Sequence, residues 1–260
     1  MERRRFLKTT ALLSWLIAFP KLIIAKPNPS LPNVLILGDS ISIGYTPFVK
    51  EMLAGRANVY RPTLENSESE NCEGTTKGVQ NIERWLTATG VGNPMAISAG
   101  SRWDIIHFNF GLHDIKHVDP VTGKNSNNPK DPEQAVLKQY KKNLKIIVER
   151  LKSTGATLIF ATTTPYPDNV GNPLRKPGMS AKYNNAAVEI MNQNGIAIND
   201  LYAFMLPRMN ELQLPQNVHF KPEGYHALAG KVVERIKEVI RDLDSKYQEN
   251  TLFERERFKG

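Results

Sequence analysis

The chain has 260 residues, 40% of them hydrophobic, and a formal net charge of +8 at pH 7. Arg3, Arg4, Arg5, Lys8 and Lys21 against Glu2 carry half of that excess within residues 1–25, so the remaining body has little basic surplus and no nucleic-acid partner is expected. Cys72 is the only cysteine, which excludes an internal disulfide.

In chain order, the first element is Arg3-Arg4-Arg5-Phe6-Leu7-Lys8, which is similar to the twin-arginine export motif, followed by an apolar stretch from Ala11 to Phe19. That stretch is too short to cross a bilayer core of about 30 Å as a helix. Residues 1–25 are therefore expected to be an export signal read by the twin-arginine export machinery and cleaved after Ala25. The product would be periplasmic or secreted, without a stable membrane span; an uncleaved signal would leave it membrane-anchored.

Residues 26–244 fit one domain. Apolar runs at Val34–Leu37, Asn58–Tyr60, Ile105–Phe110, Thr157–Ala161 and Ile196–Ile198 read as five short strands. Helical patterns lie near Pro47–Ala54, Gly78–Leu86, Pro132–Lys152, Ser180–Gln193 and Pro222–Leu243. In the third, Asp131 and Pro132 suit a cap and first turn, and Leu137, Tyr140, Leu144, Ile147, Val148 and Leu151 form one apolar stripe. Strands alternating with helices predict a five-stranded parallel sheet in a three-layer α/β/α sandwich of flavodoxin-like type. Residues 245–260 form a charged C-terminal tail.

Candidate chemistry gathers at strand ends. Gly38-Asp39-Ser40 follows the first apolar run and precedes Ile41-Ser42-Ile43-Gly44, a strand feeding a helix whose free N–H groups would face an anion beside Ser40. Gly111-Leu112-His113-Asp114 follows the third run, and His219 lies just ahead of Pro222, which suits the opening of the last helix. His113 and His117 are four residues apart, but no third ligand stands at metal-site spacing, so no metal and no organic cofactor is expected. The loops 123–130 and 165–173 are polar and rich in Pro, Gly and Asn; they would wall a substrate site or lie on the surface.

Over residues 33–243 these blocks, in this order, resemble the SGNH hydrolases, the GDSL-type esterase and lipase superfamily. The resemblance implies Ser40 as nucleophile, His219 as general base, and a glycine block at Glu73-Gly74-Thr75-Thr76-Lys77-Gly78 whose Gly74 N–H helps form the oxyanion hole. It also places His113 where the family carries an oxyanion-binding Asn, and Gln216 where the family carries the Asp three residues before its histidine. An imidazole N–H donates much as an amide does. Gln216 supplies no negative charge, leaving a Ser40–His219 dyad whose ring is oriented by the Gln216 amide oxygen or a backbone carbonyl. The glycine block is one residue off register, Glu73 standing where the glycine is expected.

The implied activity is two-step acyl transfer on a small-molecule or polysaccharide ester, with removal of acetyl groups from carbohydrate as the favoured case. Lysophospholipid or thioester hydrolysis, and a non-catalytic glycan-binding protein with a degenerate site, are the alternatives.

Overall fold

The computed structural model describes residues 28–87 and 102–257, with side chains to residue 245; the expected export signal lies outside the described residues. The elements run β1 (Asn33–Leu37), α1 (Ser40–Met52), β2 (Asn58–Tyr60), α2 (Thr75–Leu86), β3 (Ile105–Phe108), α3 (Leu137–Lys152), β4 (Thr157–Ala161), α4 (Met179–Gln193) and β5 (Ala197–Asn199). Three short helical pieces follow: α5 (Leu201–Met205), a 3-10 turn (Leu206–Arg208) and α6 (Met209–Leu212). The final helix, α7, spans Pro222–Arg257.

All strand pairs are parallel, and their order across the sheet is β2-β1-β3-β4-β5. Val34–Leu37 and Ile105–Phe108 are buried along their length, as strands covered by helices on both faces must be. On one face α1 packs on α7; on the other α2 packs on α3 and α3 on α4. The first contact is close because Gly44 has no side chain: a Cβ there would come within 2.2 Å of the Tyr225 ring.

Three predicted helix starts are corrected; α2 begins at Thr75 rather than Gly78, its first N–H held by the Asp114 carboxylate at 2.9 Å. Helix α1 begins at Ser40 rather than Pro47 because Asp39 caps it, accepting from the Ile41 N–H at 2.9 Å. Pro47 removes one helical hydrogen bond, but burial of Ile41, Tyr45 and Val49 holds the segment together as one helix. Helix α3 begins at Leu137 rather than Pro132. The preceding residues are drawn into backbone pairing with the loop after β3: the Val118 N–H donates to Pro132 O at 3.0 Å, the Gln134 N–H to Lys116 O at 2.8 Å, and the Ala135 N–H to Asp114 O at 3.0 Å. Asp131 caps no helix and instead accepts from Ser126 Oγ at 2.5 Å and Asn128 Nδ2 at 2.9 Å. Strand β3 ends at Phe108, two residues before its apolar run does, and the backbone of the charged tail continues α7 to Arg257.

Candidate active site

In a sheet of this order, β2 lies to one side of β1 and β3 to the other, so a crevice opens beyond the carboxyl ends of β1 and β3. Ser40 follows β1 directly, and His113 follows β3 by way of Asn109-Phe110-Gly111-Leu112. Both line an open cleft of about 480 Å³, together with Asn71, Lys116, Arg175 and His219.

The turn carrying Ser40 is held from beneath. Buried Arg61 donates through Nη2 to Glu70 O at 2.9 Å and Gly38 O at 3.4 Å, and through Nη1 to Ser42 Oγ at 3.2 Å and Thr46 Oγ1 at 3.1 Å. The Cys72 N–H adds a bond to Gly38 O at 3.1 Å. Burial pushes the Cys72 thiol up to about 12, so it stays protonated and packs as a small hydrophobe.

Ser40 Oγ lies 2.9 Å from His219 Nε2. On the other side of the ring, His219 Nδ1 is 2.9 Å from Asn217 Oδ1, which also accepts the His219 backbone N–H at 3.0 Å. A backbone N–H only donates, so the group facing it is the amide oxygen, and Nδ1 therefore carries the ring proton. Nε2 is left with its lone pair toward the serine hydroxyl, the tautomer a general base requires. The ring's partner is thus neither the Gln216 side chain nor a backbone carbonyl. Gln216 sits at φ 52° and its carbonyl accepts from the Gly171 N–H at 3.0 Å, a turn that brings Asn217 back under the ring. Burial, then the field of Arg175, holds the His219 pKa below its ordinary 6.5.

His113 lines the same cleft. Its Nδ1 is buried without a partner, and a buried bare lone pair costs less than a buried unpaired N–H, which assigns the proton to Nε2. Burial lowers its pKa to about 3, so the ring is a neutral donor through the physiological range. The adjacent Asp114 is fully buried and accepts from the Thr75 N–H at 2.9 Å and Thr75 Oγ1 at 2.5 Å. This fastens the His113 loop to the start of α2. Asn143 Nδ2 completes the cluster on Thr75 Oγ1 at 3.2 Å.

Gly74 caps α2 but is not part of the cleft wall. A Cβ on it would lie 3.0 Å from the Asp114 carboxylate, and its N–H meets no acceptor among the described residues. Glu73, at φ 55°, holds the left-handed conformation that favours glycine, yet its N–H is spent on Asn71 Oδ1 at 2.9 Å. Asn71, two residues ahead of that block, stands on the cleft wall. Both polar loops reach the cleft, through Asn125 on one and Val170, Gly171, Asn172 and Pro173 on the other.

Sequence reasoning passed over Asn217, Asn71 and Arg175. Only the first left a local signal, since an Asn side chain readily accepts from the backbone N–H two residues on. His107 is structural, buried in β3 with Nε2 3.2 Å from Asn199 Nδ2. Among the described residues no group of three or more His, Cys, Asp or Glu is placed to hold a metal ion. No helix among them is long and apolar enough to cross a membrane.

Comparison with known proteins identifies the family and the fold. The GDSL-like Lipase/Acylhydrolase family matches residues 36–227. Solved structures with the same fold include a lipase/acylhydrolase from Enterococcus faecalis, at 18% identity and TM-score 0.59 over 80% of this chain and 96% of that one. An acetyl xylan esterase aligns at 14% identity and TM-score 0.57 over 78% and 99%. An acetylxylan esterase from Geobacillus stearothermophilus, solved as a catalytic mutant, aligns at 16% identity and TM-score 0.58 over 79% and 94%. None of the curated protein sequences matches. With a family match across most of its length and the α/β fold of the SGNH hydrolases, the chain belongs to the GDSL-like lipase/acylhydrolase family and is a carboxylic ester hydrolase.

Proposed function

We propose that this hydrolase removes small acyl groups, acetyl above all, from carbohydrates outside the cytoplasm, by two-step acyl transfer through Ser40 and His219. The observation that carries the mechanism is the 2.9 Å contact between Ser40 Oγ and His219 Nε2, with Nδ1 held by Asn217. His219 takes the hydroxyl proton as Ser40 attacks the ester carbonyl, and the tetrahedral oxyanion is met by the Ser40 N–H and the His113 Nε2–H. The Gly74 N–H, free of other acceptors, is the third donor in this reading. His219 then protonates the leaving alcohol, and in the second step it takes a proton from water as the acyl-serine is hydrolysed.

The carbohydrate reading rests on the cleft walls. Asn71, Asn125, Asn172, Gln216 and Asn217 present amides suited to hydroxyl-rich ligands, and the cleft is open. The apolar contribution, from Leu112, Val170, Pro173 and Val218, is too scattered to seat a long acyl chain. Two of the solved structures above are described as acetylxylan esterases. The export reading rests on the twin-arginine-like run Arg3-Arg4-Arg5-Phe6-Leu7-Lys8. The test is acetate release from acetylated xylo-oligosaccharides by the mature domain and its Ser40→Ala variant. Serine-dependent release supports the reading; serine-dependent hydrolysis confined to lysophospholipids or thioesters would replace it, and release unchanged by the substitution would remove Ser40 from the chemistry.

A further inference from the structure

The cleft carries a charge pattern that acyl transfer on a neutral ester does not use. Its wall includes Lys116 and Arg175 but no Asp or Glu. Arg175 is only 6% exposed, yet no carboxylate lies within ion-pair distance among the described residues. Its Nε donates to Leu112 O at 3.0 Å and its Nη1 reaches Pro173 O only at 3.5 Å, while Nη2 donates to nothing among the described residues. Lys116 is likewise without an ion pair; the acid nearest in effect, Glu73, already holds Lys77 at 3.1 Å.

The field of buried Asp39 offsets part of the cost of keeping this guanidinium out of water, but a guanidinium without a contacting carboxylate is still costly to maintain. Fixing two loop carbonyls needs only part of it. The unspent Nη1/Nη2 edge keeps the planar fork that matches a carboxylate, and Lys116 adds a second, mobile cation on the same wall. Both cations line the cleft that holds Ser40 and His219, and the field of Arg175 reaches the His219 ring, so an anion bound there would hold an ester in the same cleft as the nucleophile.

We propose that the preferred substrates carry a carboxylate, bound by Arg175 and Lys116 while Ser40 attacks the ester. This rests on the hydrolase reading above and narrows its substrate class. The carboxylate would come either from the alcohol side, as in an acetylated uronic acid residue, or from the acyl side, as in a hemiester of a dicarboxylic acid.

The test uses two matched pairs at about 20 mM salt: an acetylated hexuronate glycoside with its methyl ester, and mono(4-nitrophenyl) succinate with its methyl ester. In one pair kcat/KM should favour the free carboxylate by about tenfold or more, and about 0.5 M salt should shrink that ratio. The ratio should fall at least about threefold in Lys116→Gln and approach one in Arg175→Gln. Lys116, half-exposed and unpaired, keeps the test informative if the arginine variant fails to fold. A wild-type enzyme that hydrolyses all four esters through Ser40 with ratios below about two would overturn the proposal and leave the hydrolase reading standing. Absence of Ser40-dependent hydrolysis of all four would overturn both.

Discussion

Replacing Asn217 by Asp tests the site's electrostatics with almost no change of shape. Asn217 Oδ1 accepts both His219 Nδ1–H, at 2.9 Å, and the His219 N–H, at 3.0 Å, and an Asp oxygen can take both bonds in the same place. What changes is charge: the amide fixes the tautomer but does nothing for the imidazolium that forms when Ser40 gives up its proton. A unit charge at about 4 Å is worth roughly 4 kcal/mol at an effective dielectric constant near 20. His219 is half-buried, so screening leaves the low end of the usual ion-pair effect, a rise of about 1–2 pKa units. In the parent, burial and Arg175 hold His219 below 6.5; activity needs the neutral ring, so the acid limb of the kcat/KM profile should lie below that value. In Asn217→Asp the limb should move up by about 1–2 pH units, and the plateau rate should rise by up to about tenfold as the imidazolium is stabilised. The assay is hydrolysis of p-nitrophenyl acetate from pH 4.5 to 9 with both proteins. A limb that stays where it was, in a variant with unchanged circular dichroism, would refute the contact and the charge argument together.

Other substitutions probe the rest of the site. His113→Ala should lower kcat on the same ester by about 100-fold, whereas His113→Asn, which restores a neutral donor, should recover most of that loss. Asp114→Ala removes the oxygen that accepts from both Thr75 donors and should cost about 1–3 kcal/mol in urea unfolding; an unchanged midpoint would mean that the Thr75 bonds at 2.9 and 2.5 Å contribute nothing. Burial holds His107 and His113 at a pKa of about 3, so between 6.5 and 3 the unfolded chain binds protons that the folded one refuses. Their contribution to stability is complete above 6.5 and is lost as pH falls, by about 1.4 kcal/mol per pH unit for each ring. Removing one of them, as in His107→Phe, should flatten the measured slope by that amount, and an unaltered slope would place the effect elsewhere.

Much of the fold was legible because each strand is a short continuous apolar run and each helix a stripe at helical spacing; Asn58–Tyr60 and Thr157–Ala161 match their predicted bounds. The failures share a cause. The start of α3 depends on bonds such as Gln134 N–H to Lys116 O, a pairing between distant residues that displaces a locally reasonable cap. The helical pattern near Pro47–Ala54 covered only the second half of α1, because the cap at Asp39 and the burial of Ile41, Tyr45 and Val49 carry the helix back to Ser40. At the site, Ser40 and His219 stood out because strand-end and loop residues carried them in a recognisable order. Asn217 did not, because a positive φ at Gln216, which no residue type there announces, moves the partner from three residues before the histidine to two. Arg175 was invisible for a further reason: its meaning comes from the carbonyl of Leu112, far away in sequence, and from the lack of a carboxylate in direct contact with it among the described residues, Asp39 acting on it only through its field.

The claim on which the rest depends is that Ser40 is the nucleophile, activated by His219. Incubation with a fluorophosphonate probe, followed by peptide mass mapping, measures this most directly. The account predicts one phosphonylated site, on the peptide containing Gly38-Asp39-Ser40, with labelling abolished in Ser40→Ala and slowed by at least about 100-fold in His219→Ala. A label on another residue, or ester hydrolysis that persists at full rate in protein whose Ser40 is unmodified after complete probe treatment, would contradict it.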